Sequence, residues 1–206
     1  MSFLEKLDWR YATKKFDSSR KISPENLAKI LEAIRKTPTG YGVMPFRVLV
    51  ISNDELRAKL KAASWNQNQI DTSSELLAFV ANTDLQKMAD EFFVELSGGD
   101  ATKREALAGY EGSVRDFLAN IPASEHLRLA SEQAYIGLGF GLAAAAELEI
   151  DSCPMSGFDP KAYQEILGLP DNEVPVALLP IGYRAETETP YPKFRLSNET
   201  LFKFIR

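Results

Sequence analysis

The stretch Leu76-Leu77-Ala78-Phe79-Val80-Ala81 is six consecutive apolar residues with no turn former. An apolar run of this length, without alternation, is typical of a strand that is buried on both faces. Residues 46–52 (FRVLVIS) form a second such run, rich in β-branched side chains. Residues 176–183 (VALLPIGY) form a third, although Pro180 argues against a regular central strand there. We therefore predict a small sheet built around these strands.

Helical patterns dominate the rest of the chain. Ser23 can cap a helix that has Pro24 at its first position, and Leu27, Ile30, Leu31 and Ile34 follow at helical spacing. Residues 87–120 have a helical composition that is interrupted at Gly98-Gly99 and again within residues 109–112. Further helices are predicted at residues 4–9, 55–63 (capped by Asp54), 132–147 and 160–167. About four strands with so many helices favour an α+β fold in which helices pack on a small sheet, as a single domain over residues 1–206.

Composition excludes several classes of protein. The 206 residues carry a net charge of −5, with no basic excess of the kind that nucleic-acid binding requires. Cys153 is the only cysteine, so no internal disulfide can form and a reducing cytoplasm is expected. The opening MSFLEKLDWR lacks the apolar core of a signal peptide, and the longest apolar run, residues 134–146, is too short to span a bilayer. We expect a cytoplasmic protein without a membrane or nucleic-acid partner.

Several catalytic motifs are missing. His126 is the only histidine, and its place before a helix favours a structural or solvated role. No residues have zinc-ligand spacing, so no metal is expected, and no Walker A loop exists. Gly137, Gly139 and Gly141 give GxGxG rather than GxGxxG, and no strand precedes them. Close packing by a neighbouring helix, ring or subunit explains these glycines better than phosphate binding does.

Two sets of polar residues remain as candidates for a binding site. Basic residues lie near both ends of the chain, and would form an anion clamp if the fold brought them together. They are Arg10, Lys14, Lys15, Lys193 and Arg195. Taken singly, such residues are usually surface charges. Residues 66–69 are four consecutive carboxamides, which can either read the edge of a heteroaromatic ring or form an ordinary polar loop.

Together these segments resemble the nitroreductase family of FMN enzymes, and most closely its compact flavin reductase and nitroreductase branch. One motif alone would be weak, but six in the same order along nearly the whole chain are a strong signal. They are residues 10–17 (RYATKKFD), similar to R-x-S-x-K-x-[FY]-D; residues 38–46 (PTGYGVMPF), similar to P-[ST]-S-x-N-x-Q-P-[WY]; residues 66–69 (NQNQ), where the family has polar residues facing the ring; Gln133-Ala134-Tyr135, at the family's dimer-interface helix; residues 154–159 (PMSGFD), similar to P-[IM]-E-G-[FI]-D; and residues 193–195 (KFR), similar to a late K-x-R.

The resemblance implies an architecture. It is a three-layer α+β fold, with a small mixed or antiparallel sheet flanked by helices. It also implies a homodimer with FMN at the subunit interface, in which residues 184–206 form a C-terminal arm that embraces the partner.

The resemblance also implies roles by position. Arg10, Lys193 and Arg195 would hold the FMN phosphate, and Lys14 would lie near the pyrimidine edge of the ring, where a positive charge stabilises the anionic reduced flavin. Phe117 and Leu118 lie where the family has a mobile aromatic gate, although ordinary helix core explains them equally well. The other implied cofactor contacts are Tyr11 and Ala12 in the first motif; Asn66 and Gln69 at the polar edge of the ring; Gln133; Pro154, Met155, Ser156 and Gly157 near the ring centre; and Pro38, Thr39 and Gly40 from the other subunit.

Some residues depart from the family pattern. Ala12 replaces a serine whose hydroxyl would meet the phosphate, which removes one hydrogen bond worth about 0.5–1.5 kcal/mol. Gln69 stands where many members have lysine, and Ser156 replaces the usual glutamate. Gly40, Gly42, Val43 and Met44 make the partner-side wall less polar than usual. These departures concern substrate choice, nicotinamide preference and redox tuning, and they leave the phosphate clamp intact.

The implied activity is ping-pong transfer of hydride from NAD(P)H through FMN to a nitroaromatic, a quinone or a free flavin. Few side chains need to act as acids or bases in such a reaction, which agrees with a chain that has one histidine. Two alternatives belong to other classes. The departures at Gln69 and Ser156 suggest one alternative, a module that binds a flavin or another ligand without turnover. The other is a scaffold or interaction protein without a cofactor, which would be colourless.

Overall fold

Four strands form one antiparallel sheet in the computed structural model, which describes all of residues 1–206. The order across the sheet is β1 (Phe46–Ile51), β2 (Glu75–Asn82), β4 (Glu173–Gly182) and β3 (Asp151–Ser152). All three strand pairs are antiparallel. The three apolar runs are the three long strands, as predicted. The fourth strand has only two residues, too few to leave a pattern in the sequence.

Pro180 lies within β4 between two neighbouring strands, which the sequence argued against. It is opposite Leu76 of β2, and its carbonyl accepts a hydrogen bond from the Cys153 N–H (3.0 Å) on the other side. In an antiparallel strand the N–H and C=O of one residue point the same way. The missing N–H of Pro180 therefore faces the short β3 side and leaves the pairing with β2 intact.

Ten α-helices surround the sheet. Ser23 caps α2 as predicted, because its hydroxyl accepts from the Asn26 N–H (3.2 Å), and Pro24 occupies the first turn. The helices are α1 (Phe3–Trp9), α2 (Pro24–Arg35), α3 (Asp54–Ala62), α4 (Gln69–Thr72), α5 (Leu85–Ser97), α6 (Ala101–Ala106), α7 (Ala108–Ala119), α8 (Ala123–Glu147), α9 (Pro160–Leu167) and α10 (Asn198–Leu201). None of them combines the length and apolar composition that a bilayer crossing needs.

Three details of the predicted helices were wrong. Asn53, not Asp54, caps α3, because its side chain accepts from the Leu56 N–H (2.8 Å). The break at Gly98-Gly99 is real, with both glycines at positive φ, but the second break is at Leu107, and residues 109–112 are helical. Helix α8 begins nine residues earlier than predicted, since its first turns are polar and lack the apolar signal.

Both faces of the sheet are covered, which makes three layers. On one face, Leu77 and Phe79 of β2 pack with α8 and α2 in a cluster that includes Leu138 and Ile34. On the other face, Leu76 and Ala78 pack with α3, α4 and α9. The nearly continuous apolar sequence of β2 is thus explained by burial on both sides.

A smaller cluster joins α5 and α7 outside the three layers. Phe93 and Met88 of α5 and Val114 and Leu118 of α7 contact Val43 from the loop before β1. This cluster holds the loop of residues 38–45 against the helices.

The last segment leaves the sheet and packs little of its apolar surface. Residues 184–206 contain one short helix, α10, and every residue from Thr189 onwards is exposed or nearly so. Phe204 and Ile205 are 82% and 90% exposed. Exposed apolar side chains in such a number are typical of a surface that another molecule covers.

Two of the three glycines of α8 have a packing reason, as predicted. A Cβ on Gly137 would lie 3.0 Å from Cζ of Phe46, and one on Gly141 would lie 3.1 Å from Cδ1 of Ile34. Gly139 has nothing within 4 Å and faces outward in this chain.

We predict that Gly137→Ala lowers the free energy of unfolding. Overpacking costs about 1–3 kcal/mol, which exceeds the helix-propensity gain of about 1 kcal/mol because the buried Phe46 ring cannot move away. Gly112→Ala in α7 is the matched control, since nothing lies within 4 Å of it and the substitution should raise stability. Urea titrations at equal protein concentration measure both. Equal stabilisation by the two alanines would contradict the packing explanation.

Candidate functional site

The two chain ends meet at one cavity. Residues from the first basic segment and from the C-terminal segment line a cavity of about 310 Å³. Four of the five basic residues named from the sequence line it, and Lys15 does not. The lining residues are Arg10, Tyr11, Ala12, Lys14, Glu188, Thr189, Pro190, Tyr191, Pro192, Lys193, Phe194 and Arg195.

These cations are close enough to repel one another. Burial and the neighbouring Arg195 lower the pKa of Arg10, and burial together with Arg10 lowers the pKa of Lys193. The buried Nε of Arg10 has no hydrogen-bond partner within the protein. A buried N–H without an acceptor is costly, and a dianion in the cavity would satisfy it and relieve the repulsion. The chemistry of this donor set fits a phosphate group.

Other contacts hold the clamp residues in place. The ammonium group of Lys193 donates to the carbonyls of Leu7 and Asp8 near the C-terminal end of α1, where a cation is favoured. Glu188, the one acidic residue lining the cavity, accepts from the backbone N–H of Lys14 (2.9 Å) through Oε1. Nothing in the sequence singled out Glu188.

Lys14 connects the cavity to the segment that follows β3. Its Nζ lies 3.4 Å from Sγ of Cys153, and the Nε2 of the buried Gln69 lies 3.9 Å from the same sulfur. Burial raises the pKa of the Cys153 thiol, while Lys14 and Arg10 act in the opposite direction. The neutral thiol thus lies between a cation and an amide. Nothing in the sequence marked Cys153 as a site residue.

The carboxamide segment contacts the segment at residues 154–157. Nε2 of Gln67 donates to the carbonyl of Gly157 (2.8 Å), and its Oε1 accepts from Gln69 (3.1 Å). A Cβ on Gly157 would lie 2.8 Å from Cζ3 of Trp65, so a larger residue there would displace the Trp65 ring. Asn66 is exposed and its side chain makes no hydrogen bond. Of the four amides, the structure therefore brings Gln67 and Gln69 to residues 153–157, and the sequence analysis had not chosen Gln67.

A buried arginine holds the backbone that follows the carboxamide segment. Arg57 is fully buried and donates to the carbonyls of Ile70, Ser73 and Ser74 without a carboxylate partner. Burial lowers its pKa. Because the N–H groups of its guanidinium donate to backbone oxygens, Arg57 fixes the conformation of the chain directly after Gln69.

Residues 154–156 lie against the sheet. Met155 forms a two-way backbone bridge with Leu178 of β4, Pro154 is half-buried and Ser156 is exposed. Ala12 forms a parallel bridge with Ser152, so the first motif runs beside β3.

The loop of residues 38–45 lies outside the clamp cavity. The backbone N–H of Gly40 donates to Oε1 of Gln133 (2.8 Å), which ties the loop to α8. Pro38 is exposed, while Thr39 accepts from the Met44 N–H through its hydroxyl (3.2 Å). Neither they nor Gly40 line the cavity formed by the chain ends. Within one chain, this loop and the clamp are separate surfaces.

The two residues proposed as a gate differ. Leu118 is buried core, in agreement with the structural alternative. Phe117 is 43% exposed and its ring lies 5.0 Å from the ring of Tyr41, whose carbonyl accepts from the Tyr110 hydroxyl (2.8 Å). Phe117 thus packs on the loop of residues 38–45 rather than on the core.

His126 has a structural position. Nδ1 lies 3.0 Å from the carbonyl oxygen of Thr83 and Nε2 lies 3.1 Å from that of Ile121. With both ring nitrogens engaged by backbone, the single histidine lies away from the clamp. No group of three or more His, Cys, Asp or Glu side chains is arranged to hold a metal ion.

Comparisons with known proteins agree with the motifs. A model described as the nitroreductase family matches residues 7–183. A protein of Staphylococcus saprophyticus, whose name gives NAD(P)H nitroreductase as a provisional activity, is 34% identical over 214 aligned residues, covering 99% of this chain and 97% of its own. A Bacillus subtilis protein with the same provisional name is 32% identical over 216 aligned residues, covering 98% and 96% of the two chains.

The fold also matches a solved structure. A provisionally assigned nitroreductase from Exiguobacterium sibiricum, in complex with FMN, is similar with a TM-score of 0.86 and 25% identity. The match covers 100% of this chain and 98% of that one.

Proposed function

The chain belongs to the nitroreductase family, and from this premise we propose that it binds FMN non-covalently and transfers hydride from NAD(P)H to nitroaromatics, quinones or flavins. The observation that carries the proposal is the meeting of Arg10, Lys193 and Arg195 at one cavity, with a buried Arg10 N–H that lacks an acceptor. A phosphate ester is the part of FMN that these groups suit.

Different residues around the cavity would bind the phosphate and the ring of FMN. Arg10, Lys193 and Arg195 would bind the phosphate, with Tyr11 and Ala12 in the cavity wall. Lys14, Gln69 and residues 154–157 would contact the ring, since Cys153 already links Lys14 and Gln69. The exposed Asn66 has unused donors and acceptors for the same edge.

When bound, FMN supplies the redox chemistry, because it accepts hydride from NAD(P)H and returns it to an acceptor. The protein's contribution is position and charge. Lys14 would place a cation near the ring, where it would favour negative charge on the reduced flavin without any proton transfer. A ping-pong order follows from a shared site, in which the oxidised nicotinamide leaves before the acceptor enters.

The acceptor side would be mostly apolar. Tyr41, Phe117 and Leu129 line a small cavity of about 160 Å³ beneath the loop of residues 38–45, together with Gln133. Flat aromatic acceptors suit such walls better than charged ones do. Phe117 could move with the loop that it contacts.

A homodimer would complete the site. Pro38, Thr39 and Gly40 lie outside the clamp cavity of their own chain, which supports a role for them at a neighbouring subunit's FMN. Exposed apolar residues of α8, among them Tyr135, Ile136 and Phe140, would form the surface for a partner copy together with the apolar arm. The single, buried and unpaired Cys153 also supports a protein of the reducing cytoplasm.

We predict turnover with a nicotinamide donor. Anaerobic mixing of the FMN-loaded protein with NADPH or NADH should bleach the visible flavin band within minutes, and a nitroaromatic or quinone should restore it. Initial rates at several fixed acceptor concentrations should give parallel double-reciprocal lines. A coloured protein whose band neither nucleotide bleaches would instead be a flavin-binding module without turnover.

Arg195→Ala should weaken FMN binding. A charge-assisted hydrogen bond is worth about 1.5–3 kcal/mol, so the Kd for FMN should rise roughly tenfold to a hundredfold. Lys203→Ala is the matched control, because Lys203 is an exposed cation of the same arm that does not line the cavity. Equilibrium dialysis measures both. Unchanged retention of FMN by Arg195→Ala would count against the clamp.

The dimer gives an independent prediction. In a single chain Phe204 and Ile205 are almost fully exposed, so truncating them to alanine should change stability by less than about 0.5 kcal/mol. If the arm packs on a partner, each truncation should instead cost about 2–5 kcal/mol and make dissociation measurable. Sedimentation equilibrium should show a native mass of twice 22.9 kDa. A monomeric native protein would refute the shared site.

A further inference from the structure

A buried carboxylate lies where three segments of the chain meet. Asp151 of β3 accepts from the Arg184 backbone N–H (2.8 Å) through Oδ2 and from Arg184 Nε (2.7 Å) through Oδ1. Oδ1 also lies 2.6 Å from Nη2 of Arg184 and accepts from the Thr13 hydroxyl (3.3 Å). The Asp151 side chain is 5% exposed. The Asp151 carboxylate is therefore contacted by two segments that are distant in sequence, and its Oδ1 is shared between them.

The arginine on the other side is fixed by aromatic rings as well. The guanidinium of Arg184 lies 4.5 Å from the centre of the Trp9 ring and 4.7 Å from the centre of the Tyr11 ring. An arginine with both an ion pair and two aromatic contacts has little freedom to change rotamer. Arg184 thus holds the residues on either side of Arg10.

The backbone on either side of Asp151 and Arg184 is hydrogen-bonded to the segments that carry the N-terminal and the C-terminal cations of the clamp. The Thr13 N–H donates to the Ser152 carbonyl (3.2 Å), and the Ala185 N–H donates to the Lys15 carbonyl (3.0 Å). Arg10 and Lys14 flank the segment that Thr13 anchors, and the arm that carries Lys193 and Arg195 begins at Arg184. Neither residue of the pair lines the cavity itself.

We propose that Asp151 and Arg184 are positioning residues that set the spacing between the N-terminal and C-terminal halves of the phosphate clamp. The inference rests on the proposed FMN function. The pair acts against the repulsion between Arg10 and the arm cations, because Asp151 fixes the Thr13 segment and the base of the arm to the same strand. Loss of the pair lets the two halves separate, and the phosphate is then held by only one of them.

Asp151→Asn distinguishes a positioning role from a simple electrostatic effect, because the two predict opposite changes in FMN affinity. Removing a negative charge near a cationic cavity should tighten the binding of an anion if charge alone mattered. An asparagine cannot accept on both sides, however, and its NH₂ would face an Arg184 donor. Positioning therefore predicts weaker FMN binding, while charge alone predicts stronger binding.

The experiment compares FMN with riboflavin, which lacks the phosphate. For Asp151→Asn, the Kd for FMN from flavin fluorescence should rise about tenfold, as for a lost charge-assisted contact, while the Kd for riboflavin changes by less than about threefold. Asp8→Asn is the matched control, because it neutralises an exposed carboxylate that is close enough to act on Lys193 and that does not line the cavity. It should bind FMN at least as tightly as the native protein.

The outcomes distinguish the possible failures. A native protein that does not prefer FMN over riboflavin refutes the proposed function itself. A native preference that Asp151→Asn retains, or one that it increases, refutes the positioning role alone. Equal weakening of both ligands indicates a general structural role and also refutes it. If Asp151→Asn does not fold, Arg184→Lys keeps the charge and loses the fork, and it should reduce the same preference.

Discussion

Strand β2 is buried on both faces, and this burial fixes where the other parts of the chain can lie. Leu77 and Phe79 require a cover of helix on one side, and Leu76 and Ala78 require another on the opposite side. Removing apolar surface of this extent from water is the main favourable contribution to folding. Since both layers are taken by helices, the polar groups that carry chemistry are left at the β3 edge of the sheet and on the segments that cross it.

The edge therefore gathers residues that are distant in sequence. Strand β3 has only two residues, and beyond it the N-terminal segment pairs with Ser152 while the segment after β4 pairs with Lys15 and Asp17. The fold brings the chain ends together through this backbone pairing, not through attraction between their side chains. Burial and the neighbouring cations lower the pKa of Arg10 and Lys193, so the side chains at this edge do not themselves draw the chain ends together.

Sequence patterns predicted the layers better than they predicted the contacts within the site. Apolar runs and helix caps are local features, so the three long strands and the caps at Ser23 and Pro24 could be recognised directly. The meeting of Arg10 with Arg195 could not be derived from spacing, because it depends on the pairing of two chain ends, and only the resemblance to a family suggested it. Glu188 and Arg184 had no local signal, since each acts through a tertiary contact, and the run of carboxamides at residues 66–69 did not show which of its members would face residues 153–157.

Most departures from the family pattern fall on the ring side of the proposed site, and Ala12 is the exception. The proposed phosphate clamp keeps the cations of the family pattern, and Ala12, which replaces a serine, forms a backbone bridge with Ser152. On the ring side, Gln69 is buried and engaged with Gln67 and near Cys153, so its amide is fixed by the protein rather than free to follow a ligand. A lysine at that position would place a second cation beside Lys14. The neutral amide leaves Lys14 as the nearest positive charge to the thiol, and the electrostatic influence on a ring bound there would come mainly from this one residue.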